Sequence, residues 1–205
     1  LHHEKQNNDM LMSLINCIAF IRLAGFASSS FATWAPKLFM YYASHLRNLL
    51  LHDASLVMNW ANSIFSAATF NFGPCTLCFH HMDSGNLPFG WCAITALGWF
   101  NPKLGGHLVL WDLKLIIDFP PGSTIFIPSA ILGHSNTAIM SGEHRYSFTQ
   151  YTSGGLFRWV EYSFQTAEEY WDNLDADELA AALASCKDRW RTGLDMFSTL
   201  DELRK

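Results

Sequence analysis

Apolar positions recur at three- and four-residue steps over the first sixty residues. After Pro36, which stands where a helix can begin, Leu38, Tyr42, Leu46, Leu49 and Leu50 mark one helical face. From Ser63 the period shortens. Short β-prone runs cover 64–72, 76–81, 91–100, 107–119, 124–128 and 145–151. They are separated by Gly73-Pro74, Asn101-Pro102, Gly105-Gly106, Pro120-Pro121-Gly122 and Gly154-Gly155. Near Thr166 the helical period returns. Thr166 with Glu169 has the capping-box spacing, Asp175 with Glu178 is its acidic analogue, and Ala176 to Arg191 predicts a helix that ends before Gly193. Many short strands with Gly/Pro turns predict a sandwich or barrel. The expectation is one α+β domain over 1–205, with a helical buttress at 1–60, a β core at 61–165 and C-terminal helices at 166–205.

Composition supports a packed chain. Half of the 205 residues are apolar and 15% are charged, and eight Trp and sixteen Phe suit a thick core beneath a curved sheet. The longest apolar stretch, Met10 to Phe26, is interrupted by Ser13, Asn16 and Arg22, so a buried helix is expected and no membrane partner. Five cysteines without a disulfide framework point to a reducing intracellular compartment. The chain starts at Leu1 rather than Met, so a processed fragment is expected. A net charge of −5 argues against strong, indiscriminate nucleic-acid binding but leaves room for a local basic groove.

The candidate chemistry sits in the β segment. His81-Met82-Asp83 is answered downstream by His134, and two histidines with one carboxylate make the face that holds non-haem Fe(II) with positions left open. On a strand His81 and Asp83 project to one side and His80 to the other, so His80 is expected to be structural or exposed. Arg145, Ser147, Thr149 and Tyr151 fall at steps of two on one face of one strand. Arg grips a carboxylate through two parallel hydrogen bonds and a nearby hydroxyl adds a third, so Arg145 and Ser147 suit the far carboxylate of 2-oxoglutarate. His107 alternates with Val109 and Trp111; a cosubstrate contact and a satisfied core histidine are both open for it. Cys75 and Cys78 have zinc-like spacing without a second pair, and Cys17, Cys92 and Cys186 read as small packed residues. The spacings together predict an Fe(II)/2-oxoglutarate dioxygenase.

These residues resemble a known family. His81-x-Asp83-x-x-Asn86-Leu87-Pro88-x-Gly90 is similar to the proximal iron motif of the TET/JBP nucleic-acid base dioxygenases, and closest to their expanded basidiomycete fungal branch. Pro88-Phe89-Gly90-Trp91-Cys92, Gly105 through Leu113 and Ser147-Phe148-Thr149-Gln150-Tyr151 carry the likeness, which runs from about Ala24 through Phe164. It implies a double-stranded β-helix (jelly-roll, cupin-like) barrel buttressed by N-terminal and C-terminal helices. It assigns iron to His81, Asp83 and His134, and 2-oxoglutarate to Arg145 and Ser147 with His107. It makes Asn86 the reader of a flipped base and Tyr151 its stacking partner. Family members often carry His where Ser153 stands, which leaves the preferred base open, and the long insertions and zinc-binding cysteines of animal members are missing.

The implied activity is methyl oxidation on methylated DNA with dioxygen: 5-methylcytosine to 5-hydroxymethylcytosine and further, with N6-methyladenine also in view. A monomer in the nucleus is expected. Lys37, Arg47, Lys103, Arg158, Lys187, Arg189 and Arg191 are candidate phosphate contacts, and Trp111, Trp159 and Trp171 are expected in the core. The alternatives are a dioxygenase acting on a small molecule, RNA or a protein side chain, and a catalytically silent barrel that binds DNA or a partner.

Overall fold

The structure is a computed structural model that describes residues 4–204. Three helices lead: α1 (Lys5–Ile15), α2 (Ile18–Trp34) and α3 (Pro36–His52). Pro36 opens α3 because its fixed φ suits a first turn and its missing N–H is not needed there. Seven strands follow: β1 (Ala67–Asn71), β2 (Cys92–Trp99), β3 (Leu108–Leu110), β4 (Leu115–Ile117), β5 (Thr124–Ile127), β6 (His134–Asn136) and β7 (His144–Tyr151). Four helices close the chain: α4 (Gly154–Glu161), α5 (Ala167–Asp172), α6 (Ala176–Asp195) and α7 (Leu200–Leu203). Among the described residues no single helix is long and apolar enough to cross a membrane.

The strands form two antiparallel sheets, one in the order β1-β7-β2-β5 and one in the order β4-β3-β6. Their ladders do not close into one ring. β2 is buried on both faces from Cys92 to Ala96. Cys92, Ile94 and Ala96 pack with Leu108, Leu110 and Ile127 between the sheets, whereas Ala93 joins the core beneath the helices. That second core centres on Phe31, whose ring lies on Phe65 at 5.6 Å and on Trp91 at 5.5 Å.

Local detail departs from the periodic reading in four places. The run 107–119 is two strands, split by a turn in which Lys114 takes φ 54°. Residues 75–86 run as an irregular strap rather than a strand, with paired positions only at Cys75, His81 and Asn86. Gly154-Gly155 opens α4, because the Ser153 hydroxyl accepts from the Gly155 N–H and caps the helix. Gly193 does not end α6; it lies inside the helix, where a Cβ would stand 2.7 Å from the Phe89 ring. Both capping boxes read from the sequence are present, at the starts of α5 and α6.

Candidate metal and anion site

The strap is tied to the second sheet and to β7 by backbone. His81 and His134 exchange N–H···O bonds of 3.1 and 3.0 Å, and the Asp83 N–H donates to the Ser129 carbonyl at 2.9 Å. Farther up, the Asn136 side chain substitutes for a strand partner. Its Oδ1 accepts from the Cys78 N–H at 2.8 Å and its Nδ2 donates to the Thr76 carbonyl at 3.2 Å.

These ties bring His81, Asp83 and His134 together, with one ligand atom from each lying within 4.8 Å of the others. Each imidazole is oriented through its inner nitrogen. His81 Nδ1 stands 2.7 Å from the Phe79 carbonyl and His134 Nδ1 stands 2.9 Å from the Leu132 carbonyl. A carbonyl can only accept, so each Nδ1 carries the proton and each Nε2 presents a lone pair. Both Nε2 atoms face Asp83, at 3.7 Å from Oδ1 for His81 and 3.9 Å from Oδ2 for His134. Burial holds the His134 pKa below its ordinary value, which favours the neutral form a metal needs. Two imidazoles and a carboxylate are a metal-ligand set suited to a divalent first-row ion.

The set opens on a cavity of about 500 Å³ whose far wall is β7. Arg145, Ser147, Thr149 and Tyr151 line it together, as the step-of-two pattern requires. Arg145 is 3% exposed, and its Nη1 donates to the Thr76 carbonyl at 3.2 Å while its Nε has no partner. No carboxylate among the described residues pairs with it, and desolvation lowers its pKa. Ser147 Oγ accepts from Asn71 Nδ2 at 2.9 Å, which leaves the hydroxyl proton to be donated. A buried cation without a counter-charge, beside a free hydroxyl, is an incomplete anion site.

Asn86 and Tyr151 also stand on the cavity wall. Asn86 Nδ2 donates to Ser129 Oγ at 3.2 Å, which leaves the Oδ1 carbonyl free. His107 stands elsewhere, contrary to its expected cosubstrate contact. Its Nδ1 lies 3.0 Å from Thr137 Oγ1 and its Nε2 lies 3.6 Å from Asp118, while Leu108 takes the cavity-facing position of β3.

Asn71 and Asn136 also line the wall and were not singled out by sequence, and Cys78 lines it too, where the sequence offered it only as half of a zinc-like pair. Asn136 was within reach of the sequence, since it shares the inward parity of His134 two residues earlier. Of the candidate phosphate contacts, Lys37 pairs with Glu202, Lys103 with Asp118, Arg189 with Glu161 and Arg191 with Asp188. Trp111 is exposed rather than core, with its Nε1 donating to Ser135 Oγ at 3.0 Å, and Trp159 is likewise exposed.

No protein-family model matches the chain, and no curated protein matches it. Solved structures that resemble it include NgTET1 in complex with 5mC DNA, at 20% identity and a TM-score of 0.41, covering 52% of this chain and 42% of that one. The 2OG complex of the viral collagen prolyl hydroxylase vCPH from Paramecium Bursaria Chlorella virus-1 aligns at 17% identity and a TM-score of 0.31, covering 53% of this chain and 68% of that one. A truncated form of the same hydroxylase aligns at 17% identity and a TM-score of 0.30 over 53% of this chain and 65% of its own. The chain therefore spans less than half of the NgTET1 structure it resembles.

Proposed function

We propose that the chain is an Fe(II)/2-oxoglutarate-dependent dioxygenase that oxidises the methyl group of a flipped base in methylated DNA. One observation carries the enzyme class. The uncompensated Arg145 guanidinium and the two-histidine, one-carboxylate set open on the same cavity, so one molecule with a carboxylate at its far end can reach both. The strand count agrees. With the strap segment at His81 counted on the free edge of β6, the two sheets carry eight segments, the number a jelly roll would have, which supports the reading.

His81 and His134 would hold Fe(II) through their Nε2 atoms and Asp83 through its carboxylate, while Arg145 and Ser147 would take the distal carboxylate of 2-oxoglutarate. When bound, the metal and cosubstrate supply the power to hydroxylate a methyl group with dioxygen as 2-oxoglutarate passes to succinate and carbon dioxide. The chain's own part is placement. The Tyr151 ring offers a stacking face, and the Asn86 carbonyl can accept from the exocyclic amine of cytosine or adenine. We assign 5-methylcytosine as the first substrate, oxidised to 5-hydroxymethylcytosine and further, with N6-methyladenine the second base that presents such an amine. On this reading the chain works in the nucleus.

A second reading keeps the chemistry and changes the substrate to a small molecule, RNA or a protein side chain. The net charge of −5 and the engagement of Lys37, Lys103, Arg189 and Arg191 in ion pairs favour it, because they leave little free positive surface for a phosphate backbone. Incubation with Fe(II), 2-oxoglutarate and oligonucleotides carrying 5-methylcytosine or N6-methyladenine, followed by mass spectrometry of the nucleosides, separates the two. Oxidised base is the expected product. Turnover of 2-oxoglutarate stimulated equally by unmethylated DNA, with no oxidised base, would move the assignment to the second reading.

A further inference from the structure

Ser129 stands behind the cavity wall rather than on it. It is 1% exposed and follows β5 by two residues, in the loop that leads to β6 and His134. Its main chain and its side chain hold different residues of the strap. The carbonyl oxygen accepts from the Asp83 N–H at 2.9 Å, and the hydroxyl oxygen accepts from Asn86 Nδ2 at 3.2 Å. The main chain around Asn86 is fixed independently. Its N–H donates to the Asp83 carbonyl at 2.8 Å, and the Gly154 N–H donates to the neighbouring Gly85 carbonyl at 2.9 Å. What remains to be set is the rotation of the Asn86 amide, whose ends are unlike: Nδ2 only donates and Oδ1 only accepts. The Ser129 hydroxyl chooses between them. Burial pushes the Cys92 thiol up to about 12, and a hydrogen bond from Ser129 works against that burial. A bond that favours a charged sulfur is one the hydroxyl donates, so its oxygen is left to accept from Nδ2.

We infer that Ser129 is the positioning residue for base choice. It holds Nδ2 of Asn86 back from the cavity and leaves Oδ1 as the reading atom. The site then takes a methylated base with an exocyclic amine and turns away one with a carbonyl in that place. The inference rests on the proposed function and narrows its substrate class. The chemistry calls for such a device. Thymine carries its methyl on the same ring carbon as 5-methylcytosine, so the methyl group cannot separate the two. They differ at the next carbon, which bears an oxygen in thymine and an amine in 5-methylcytosine. Facing Oδ1, the amine donates a hydrogen bond, whereas the thymine oxygen sets acceptor against acceptor. An amide free to turn would offer Nδ2 to that oxygen and take both bases.

A competition assay tests the inference. Two single-stranded oligonucleotides, alike except for 5-methylcytosine or thymine at one position and free of both elsewhere, are incubated together with the whole chain, Fe(II) and 2-oxoglutarate. Mass spectrometry of the nucleosides counts oxidised 5-methylcytosine against oxidised thymine. The wild type should favour 5-methylcytosine roughly tenfold or more. Ser129→Ala should shrink that ratio severalfold, chiefly through a gain on thymine. Its metal content and its Kd for 2-oxoglutarate should not change, because the backbone bond to Asp83 survives the substitution. Ser129→Cys fills the same space with a weak acceptor and should move the ratio the same way. Added to Asn86→Ala, Ser129→Ala should move it no further, since Ser129 acts through Asn86. A ratio untouched by both Ser129 variants would overturn the inference, as would an undiminished effect of Ser129→Ala in the Asn86→Ala chain. A wild type that oxidises neither base brings down the proposed function and this inference with it, whereas one that oxidises 5-methylcytosine with a ratio indifferent to Ser129 brings down the inference alone.

Discussion

Arg145 and Asn136 meet at one atom. The Thr76 carbonyl oxygen accepts from Arg145 Nη1 and from Asn136 Nδ2, each at 3.2 Å. The asparagine thus fixes the acceptor that aims the guanidinium. Asn136→Ala should leave the metal ligands in place yet weaken binding of 2-oxoglutarate, measured by calorimetry on the Mn(II)-loaded chain without dioxygen. Of the three side-chain hydrogen bonds this removes, the one to the Thr76 carbonyl bears on Arg145, and about 1 kcal/mol for it predicts roughly a fivefold rise in Kd. An unchanged Kd would show that Asn136 does not position Arg145.

Arg145 sets stability against binding. Removing the cation should cost about 2–5 kcal/mol of cosubstrate affinity, or roughly 30-fold and more in Kd. The same change relieves the ligand-free chain of a buried charge that has no counter-charge among the described residues. Arg145→Met should therefore unfold at a higher temperature than wild type in the absence of ligand, by an amount corresponding to about 1–4 kcal/mol. A lower unfolding temperature would show that the Thr76 bond and the packing of the side chain outweigh its uncompensated charge.

One divalent ion per chain is expected at His81, Asp83 and His134. His81→Ala and Asp83→Ala should each abolish its retention on desalting while leaving the unfolding temperature nearly unchanged, since both side chains are partly exposed. Metal content by atomic emission and a thermal melt read the two effects apart. Full metal content in either variant would contradict the ligand set.

Tyr151 and Asn86 predict separable defects. Loss of a stacking ring costs about 1–3 kcal/mol per base, so Tyr151→Ala should weaken binding of a methylated oligonucleotide while sparing metal and 2-oxoglutarate. Asn86→Ala should instead change the ratio of product from 5-methylcytosine and N6-methyladenine. Equal slowing on both bases would show that Asn86 does not read the base edge.

Far from the cavity, Glu161 of α4 accepts from the Tyr41 hydroxyl and faces His45 Nε2 at 3.7 Å and Arg189 at 3.7 Å. The hydrogen bonds from His45 and Tyr41 outweigh burial and hold the Glu161 carboxyl below its ordinary range. Burial pulls His45 down, but Glu161 and the Tyr41 carbonyl outweigh it and leave its pKa raised. The signs are opposite. Glu161 stabilises the fold above the ordinary carboxylate pKa, and that part is lost as pH falls through its depressed value. His45 stabilises it below the ordinary imidazole pKa, and that part is lost as pH rises through its raised value. The gap in unfolding temperature between wild type and Glu161→Gln should be widest between the carboxylate range and neutrality and narrow on both sides. A gap constant with pH would rule out the ionised pair.

The sequence carried the chemistry further than the local geometry. Arg145 through Tyr151 were legible because one long strand keeps its parity over eight residues and one parity carries Arg145, Ser147, Thr149 and Tyr151 in unbroken succession. His107 was left open between two readings for the opposite reason. β3 is three residues long and both parities are apolar there, Leu108 and Leu110 on one and Val109 on the other, so alternation could not choose a face. His81 and Asp83 came out on one side although no strand holds them, because a spacing of two also brings side chains together across the tight strap before Ser84. Gly154-Gly155 and Gly193 were read as breakers, since no local pattern reveals a serine cap or the Phe89 ring waiting beside a helix.

The reciprocal backbone bonds between His81 and His134 decide when the metal-binding geometry comes into being. Two ligands far apart in the chain are registered by main-chain atoms that take no part in coordination. Their alignment is completed in the folding reaction itself. An ion binding there would meet side chains already aligned by the fold instead of a chain still to be gathered.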